Sequence, residues 1–247
     1  MKRNLIIIVI AAIIGGYSCD AVKNTPEIDN GYGFQTHSCD SLALFNLNRT
    51  VKDWSGRIMS YYNECKDCSW DSYCLNMSVG SVKEKRPGEF MGPRAESRDF
   101  DMELQIRHQM IYVDGGEYAL PSDGWRCVNY RTEPVQDIII TSTTAVCGKE
   151  PGTPLNRYFG MRTDLIPSAQ RQYIDFVFSK DRILVERLSR MESLDDYLSL
   201  HPIINPYLTF YLREKPEELP METQFTITVA MEDGKVLRET SDTIKLY

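Results

Sequence analysis

The stretch TQFTITVAMEDGKVLRETSDTIKLY, residues 223–247, constrains the fold more than any other part of the chain. Phe225, Ile227, Val229 and Met231 alternate with Gln224, Thr226, Thr228 and Ala230, the period of a strand with one buried face. Asp233-Gly234 supplies a hairpin turn of the kind that needs positive φ, and Ile244 and Leu246 resume the alternation. A strand pair of this kind cannot bury its apolar face alone, so the rest of the chain must provide a second layer.

Further strand signals are frequent. DIIITSTTAVC (137–147) is an apolar, β-branched run that predicts a strand buried on both sides. LQIRHQMIYV (104–113) predicts a strand ending in the Asp114-Gly115-Gly116 turn. SLALFNLNRT, RYFGMRTDLI, QYIDFVFS, the start of DRILVERLSR and NPYLTFYLREKP add others, whereas the aromatic-rich remainder of 40–74 predicts loop or short helix. SLDDYLSL predicts a short helix capped by Ser193, with Asp195 and Asp196 in its first turn. The expected fold is mainly β, an antiparallel β-sandwich with one or two short helices.

The amino end carries an address. Lys2 and Arg3 precede an apolar run from Leu5 to Ile14, Gly15 and Gly16 break it, and Ser18 precedes Cys19. That is the layout of an export signal over residues 1–18, and its apolar core is shorter than the about 20 residues a membrane span needs. Gly16-Tyr17-Ser18-Cys19 resembles a bacterial lipobox, with Gly16 in place of the usual leucine. The resemblance implies that Cys19 becomes the lipidated first residue, held in membrane lipid by its acyl chains. Residues 19–38, polar and broken by Pro26, Gly31 and Gly33, then form a tether, and 39–247 the β-rich domain, with a sub-boundary near the Pro- and Gly-containing loop 84–99.

The carboxy-terminal half carries a second likeness. IIITSTTAVCGKEPGTPLNRYFG, then SLDDYL, then FTITVAMEDGKVLRETSDTIKL looks like the small lipoproteins of the Bacteroidetes type, over roughly residues 125–247. Those chains end in an immunoglobulin-like or transthyretin-like β fold, which the likeness implies here; it supplies no functional residues. Asp40-Ser41-Leu42 and Asp242-Thr243-Ile244 resemble the O-glycan acceptor triplets of such envelope proteins.

Setting Cys19 aside leaves Cys39, Cys65, Cys68, Cys74, Cys127 and Cys147, an even set that in an exported chain predicts up to three disulfide staples. ECKDCSWDSYC (64–74) invites two sharper readings. A redox pair at Cys65 and Cys68 is disfavoured because Glu64, Asp67 and Asp71 surround it, and negative charge raises a thiol pKa. Zinc at Cys65, Cys68 and Cys74 lacks the second C-x-x-C or paired histidines that a ribbon needs.

Chemistry is otherwise quiet. The chain has no nucleophile elbow, H-E-x-x-H, P-loop or dinucleotide fingerprint, so no catalytic residue and no cofactor is expected. His108 falls in a strand without a nucleophile beside it, and His201 follows the short helix, where it caps the end. Asp195 and Asp196 point apart on a helix, and Glu217 and Glu218 lie in a solvated loop. Loss of Lys2 and Arg3 takes the formal charge from −7 to −9, which excludes nucleic acid as a partner class. The expected function is a binding or structural module of the cell envelope, lipid-anchored to the outer membrane, with a glycan or an envelope protein as partner. Aromatics at Trp54, Tyr61, Tyr62, Trp70, Tyr73 and Trp125 offer faces for sugar rings, with Trp70 and Trp125 as the ligand-binding candidates.

Overall fold

The computed structural model describes residues 32–54, 57–80, 126–162, 176–179 and 186–247. In chain order the strands are β1 (Tyr32–His37), β2 (Ser41–Trp54), β3 (Arg57–Glu64), β4 (Asp67–Cys68), β5 (Tyr73–Gly80), β6 (Arg126–Arg131), β7 (Val135–Ser142) and β8 (Phe159–Arg162). They continue as β9 (Phe176–Val177), β10 (Glu186–Arg187), β11 (Tyr207–Leu212), β12 (Met221–Thr223), β13 (Phe225–Met231), β14 (Val236–Thr240) and β15 (Ile244–Leu246), with one α-helix, α1 (Leu194–Leu198).

The chain divides into two compact units. The first comprises residues 1–35 and 97–128, of which only 32–35 and 126–128 are described, as parts of the paired strands β1 and β6. Strand β1 begins at Tyr32, inside the stretch read above as a tether. The strand expected at 104–113, with His108, lies outside the described residues.

The second unit, residues 36–96 and 129–247, holds the sandwich. Its larger layer is an antiparallel five-stranded sheet in the order β3-β2-β5-β11-β8. The stretch expected as loop or short helix after β2 is therefore corrected to strands: β3, the two-residue β4, and the start of β5. RIMSYYNE and YCLNMSVG have the aromatic and β-branched content that suits a pleated surface, but their identity comes from pairing with β2 on either side. Strand β5 is central and buried along its whole length. Tyr73, Leu75, Met77 and Val79 face the core, while Asn76 and Ser78 on the other face satisfy one another and Thr209 by hydrogen bonds of 3.2 and 2.9 Å.

The second layer is β14-β13-β7, antiparallel throughout. Phe225, Ile227, Val229 and Met231 are fully buried, as the alternation predicts, and Gly234 closes the hairpin at φ 87°. Strand β7 differs from its reading. Ile138 and Ile140 are fully buried, but Ile139 and Thr141 are half-exposed, so one face is inside. A smaller sheet, β12-β15-β4, closes one end, with β15 parallel to β4.

Phe225 joins the layers. Its ring meets Phe159 of β8 edge-on at 5.4 Å and stacks with Tyr73 of β5 at 5.7 Å. Helix α1 has the expected cap at Ser193: its hydroxyl accepts from Asp196 N–H at 3.1 Å, and Asp196 carboxylate accepts from Ser193 N–H at 3.1 Å. His201 follows in the left-handed conformation (φ 48°), and its N–H donates to the Leu198 carbonyl.

Candidate functional site

Strand β2 pairs with β5 along residues 41–48, but with β3 only from Leu47 onward. Among the described residues, the outer edge of 41–46 therefore has no strand partner. Cys65 N–H donates to Asn46 C=O at 2.9 Å, so Asn46 turns its peptide groups away from β5, and by the two-residue period Leu44 does the same. Near this edge lies β14, the outermost strand of its own layer. The two borders enclose an open cleft of about 420 Å³, with the Phe45 and Leu44 side chains, the Glu64-Cys65-Lys66 corner, and Glu239, Thr240 and Asp242 around it. Asn46 braces its floor, accepting from Tyr73 O–H at 2.8 Å and donating to the Asp242 carbonyl at 2.7 Å.

The corner after β3 carries the cysteine cluster. Cys65 and Cys68 bring their sulfurs to 2.6 Å, Cys65 half-buried at the cleft and Cys68 only 1% exposed. The hydrogen bond from Cys68 holds the Cys65 thiol below its ordinary range, outweighing burial and the charge of Asp67. The same bond, then burial, pushes Cys68 up. Acidic neighbours were expected to raise the Cys65 thiol, and Asp67 does act that way; the contact that reverses the sign is one that spacing along the chain cannot reveal. Cys74, fully buried in β5, lies within electrostatic reach of Cys68.

The other cysteines do not join this group. Cys39 is fully buried and pushed up to about 12 by burial and by Glu133, whose carboxylate accepts from Cys39 N–H at 2.8 Å. Lys235, at the end of the β13–β14 turn, donates to Cys39 C=O at 3.1 Å. Cys147 occupies the β-turn Val146–Lys149 with Gly148, both in the left-handed conformation (φ 53° and 67°). Burial and then Glu218 push its thiol to about 11. Glu218 clamps that turn, accepting from Cys147 N–H at 2.9 Å and Gly148 N–H at 2.7 Å. Burial opposes its charge, but these bonds hold the carboxyl below its usual range. Among the described residues no two sulfurs lie at disulfide bonding distance, so none of the up to three expected staples is seen among them. The side chain of Cys127 lies outside the described residues, as does Cys19.

Trp70 is half-buried and packs against the core, with its backbone N–H on the Tyr247 carbonyl at 3.1 Å. Its ring is thus partly used in packing, while Trp125 lies outside the described residues. Asp195 and Asp196 serve the helix start, as their place in the chain predicts. The cleft residues were missed by sequence reasoning because they come from three separate segments, and only the C-x-x-C spacing marked one of them. Among the described residues, no group of three or more His, Cys, Asp or Glu side chains is placed to hold a metal ion. No protein-family model, no curated protein and no solved structure matches the chain.

Proposed function

We propose that this chain is a cell-envelope lipoprotein of the outer membrane, anchored through Cys19, whose sandwich is a non-catalytic binding module. The ligand we assign to the cleft is an extended polypeptide segment of another envelope protein. The observation that carries this reading is the outer edge of β2 at residues 41–45, which no strand pairs among the described residues and which borders the open cleft. An edge of this kind offers backbone donors and acceptors in register for strand addition. Glu64 and Asp242 on the cleft border favour a segment with net positive charge. The lipid anchor rests on the signal and lipobox resemblance at residues 1–19.

Two experiments test the reading. Metabolic labelling with an alkyne fatty acid should tag the protein and fail on Cys19→Ala; a label that survives the substitution refutes the anchor. Calorimetric titration with the peptide (Val-Lys)4 should give saturable binding that Glu64→Lys combined with Asp242→Lys abolishes. No binding of this peptide, or binding insensitive to the reversal, refutes the polypeptide ligand, and hits on a glycan array in its place would assign the cleft to sugar.

A further inference from the structure

We propose that Cys65 and Cys68 form a reversible dithiol–disulfide couple in which Cys65 is the sulfur that exchanges with outside disulfides. Both sulfurs are carried on fixed backbone. Cys65 is held by its N–H on Asn46, while Cys68 sits in β4 beside β15, with Lys245 N–H on the Lys66 carbonyl at 2.9 Å. Their separation of 2.6 Å leaves only a small closure to the about 2.05 Å of a bonded pair. Access is unequal: Cys65 lines the open cleft, and Cys68 is buried behind it. An outside reagent therefore meets Cys65 first, and Cys68 is reached only through Cys65.

The chemistry follows from that order. The Cys65 thiolate attacks a disulfide R–S–S–R, forming Cys65–S–S–R and releasing one RS⁻. Cys68 loses its proton to the released thiolate and attacks the Cys65 sulfur, expelling the second R–S⁻, which takes up the proton from Cys65's original ionisation. Two protein thiols and one disulfide become one protein disulfide and two thiols, and the reverse sequence reopens the ring. The shift of the Cys65 thiol below its usual range suits the attacking sulfur, and the raised Cys68 suits the resolving one. A ring closed across two intervening residues constrains the unfolded chain far less than a long-range bridge, so the bond is suited to exchange and not to stapling. The titratable and charged groups facing Cys65 are Glu64, Lys66, Asp67 and Cys68 of its own corner, Glu239 and Asp242 across the cleft, and Tyr73 behind it. This inference is independent of the lipid anchor and of the polypeptide ligand.

The test uses the unmutated mature protein, equilibrated with glutathione buffers of graded redox ratio, acid-quenched, alkylated and mapped by peptide mass. Cys65 and Cys68 should gain and lose protection together in a single two-electron step. In the reduced protein, Cys65 should react with iodoacetamide first at pH 7, and Cys68→Ala should slow it about three- to fourfold for each unit its pKa rises, the loss of thiolate being partly offset by its greater nucleophilicity. A bridge from either residue to Cys74, or both thiols remaining free in fully oxidised glutathione, overturns the couple. Alkylation of Cys65 at an unchanged rate in folded Cys68→Ala overturns the assigned roles.

Discussion

Phe225 gives the most direct test of how the two layers are joined. Its ring is fully buried, belongs to β13 of one layer, and touches Phe159 and Tyr73 of the other. Phe225→Ala removes the ring from a site that neighbouring strands cannot easily close, which costs about 3–5 kcal/mol. Phe225→Leu keeps most of the apolar volume and loses the two ring pairs, each worth about 0.5–1.5 kcal/mol beyond buried area, so about 1–3 kcal/mol together. The graded pair matters because folded domains are stable by only about 5–15 kcal/mol. Urea unfolding followed by far-ultraviolet circular dichroism reads both values, with slopes of about 1–3 kcal/mol per molar. The midpoint should fall in the order wild type, Leu, Ala at unchanged slope. Val236→Ala, at 60% exposure on β14, should stay within about 0.5 kcal/mol of wild type. If Phe225→Ala costs under 1 kcal/mol, the layers are not packed through this ring and the sandwich reasoning fails.

Other substitutions probe local geometry. At Gly160 a Cβ would overlap the Tyr211 ring, over which Arg162 lies at 4.2 Å; Gly160→Ala should cost about 1–3 kcal/mol in thermal unfolding, and less in a Tyr211→Ala background. Cys147→Gly should stabilise by about 1 kcal/mol by relieving the left-handed backbone, while the β-branched Cys147→Val should destabilise; equal effects would refute the turn assignment. Glu218 has a depressed folded-state pKa, so its contribution is present above the unfolded carboxyl's pKa and is lost as pH falls through the folded value. The stability gap between wild type and Glu218→Gln should be open at neutral pH and close in acid, and a gap independent of pH would refute the clamp.

Legibility in the sequence followed the range of the interactions. The β13–β14 hairpin was readable because alternation and the Asp233-Gly234 turn are local, and so was α1, whose cap spans Ser193 to Asp196. Strand β7 was read with the wrong burial because its Ile-rich run does not say that only one face meets another layer. Strands β3 and β5 were obscured by the polar, cysteine-rich corner between them and by their dependence on β2. The cleft was illegible, since residues 43–46, 64–66 and 239–242 carry no mutual signal along the chain. For the cysteines, spacing displayed the pair, while the hydrogen bond that sets the sign of the Cys65 shift exists only in three dimensions.

The parallel pairing of β15 with β4 has a consequence for the timing of folding. Lys245 and Asp67 are partners although 178 residues separate them, as they do Ser69 from Tyr247. During synthesis the corner bearing Cys65 and Cys68 emerges early, yet its supporting strand arrives only with residues 244–246. Contacts of such long separation form late and slowly. The two thiols are therefore exposed to whatever redox partner the nascent chain meets before the sheet that buries Cys68 exists. The cysteine pair is made 178 residues before the strand that encloses it.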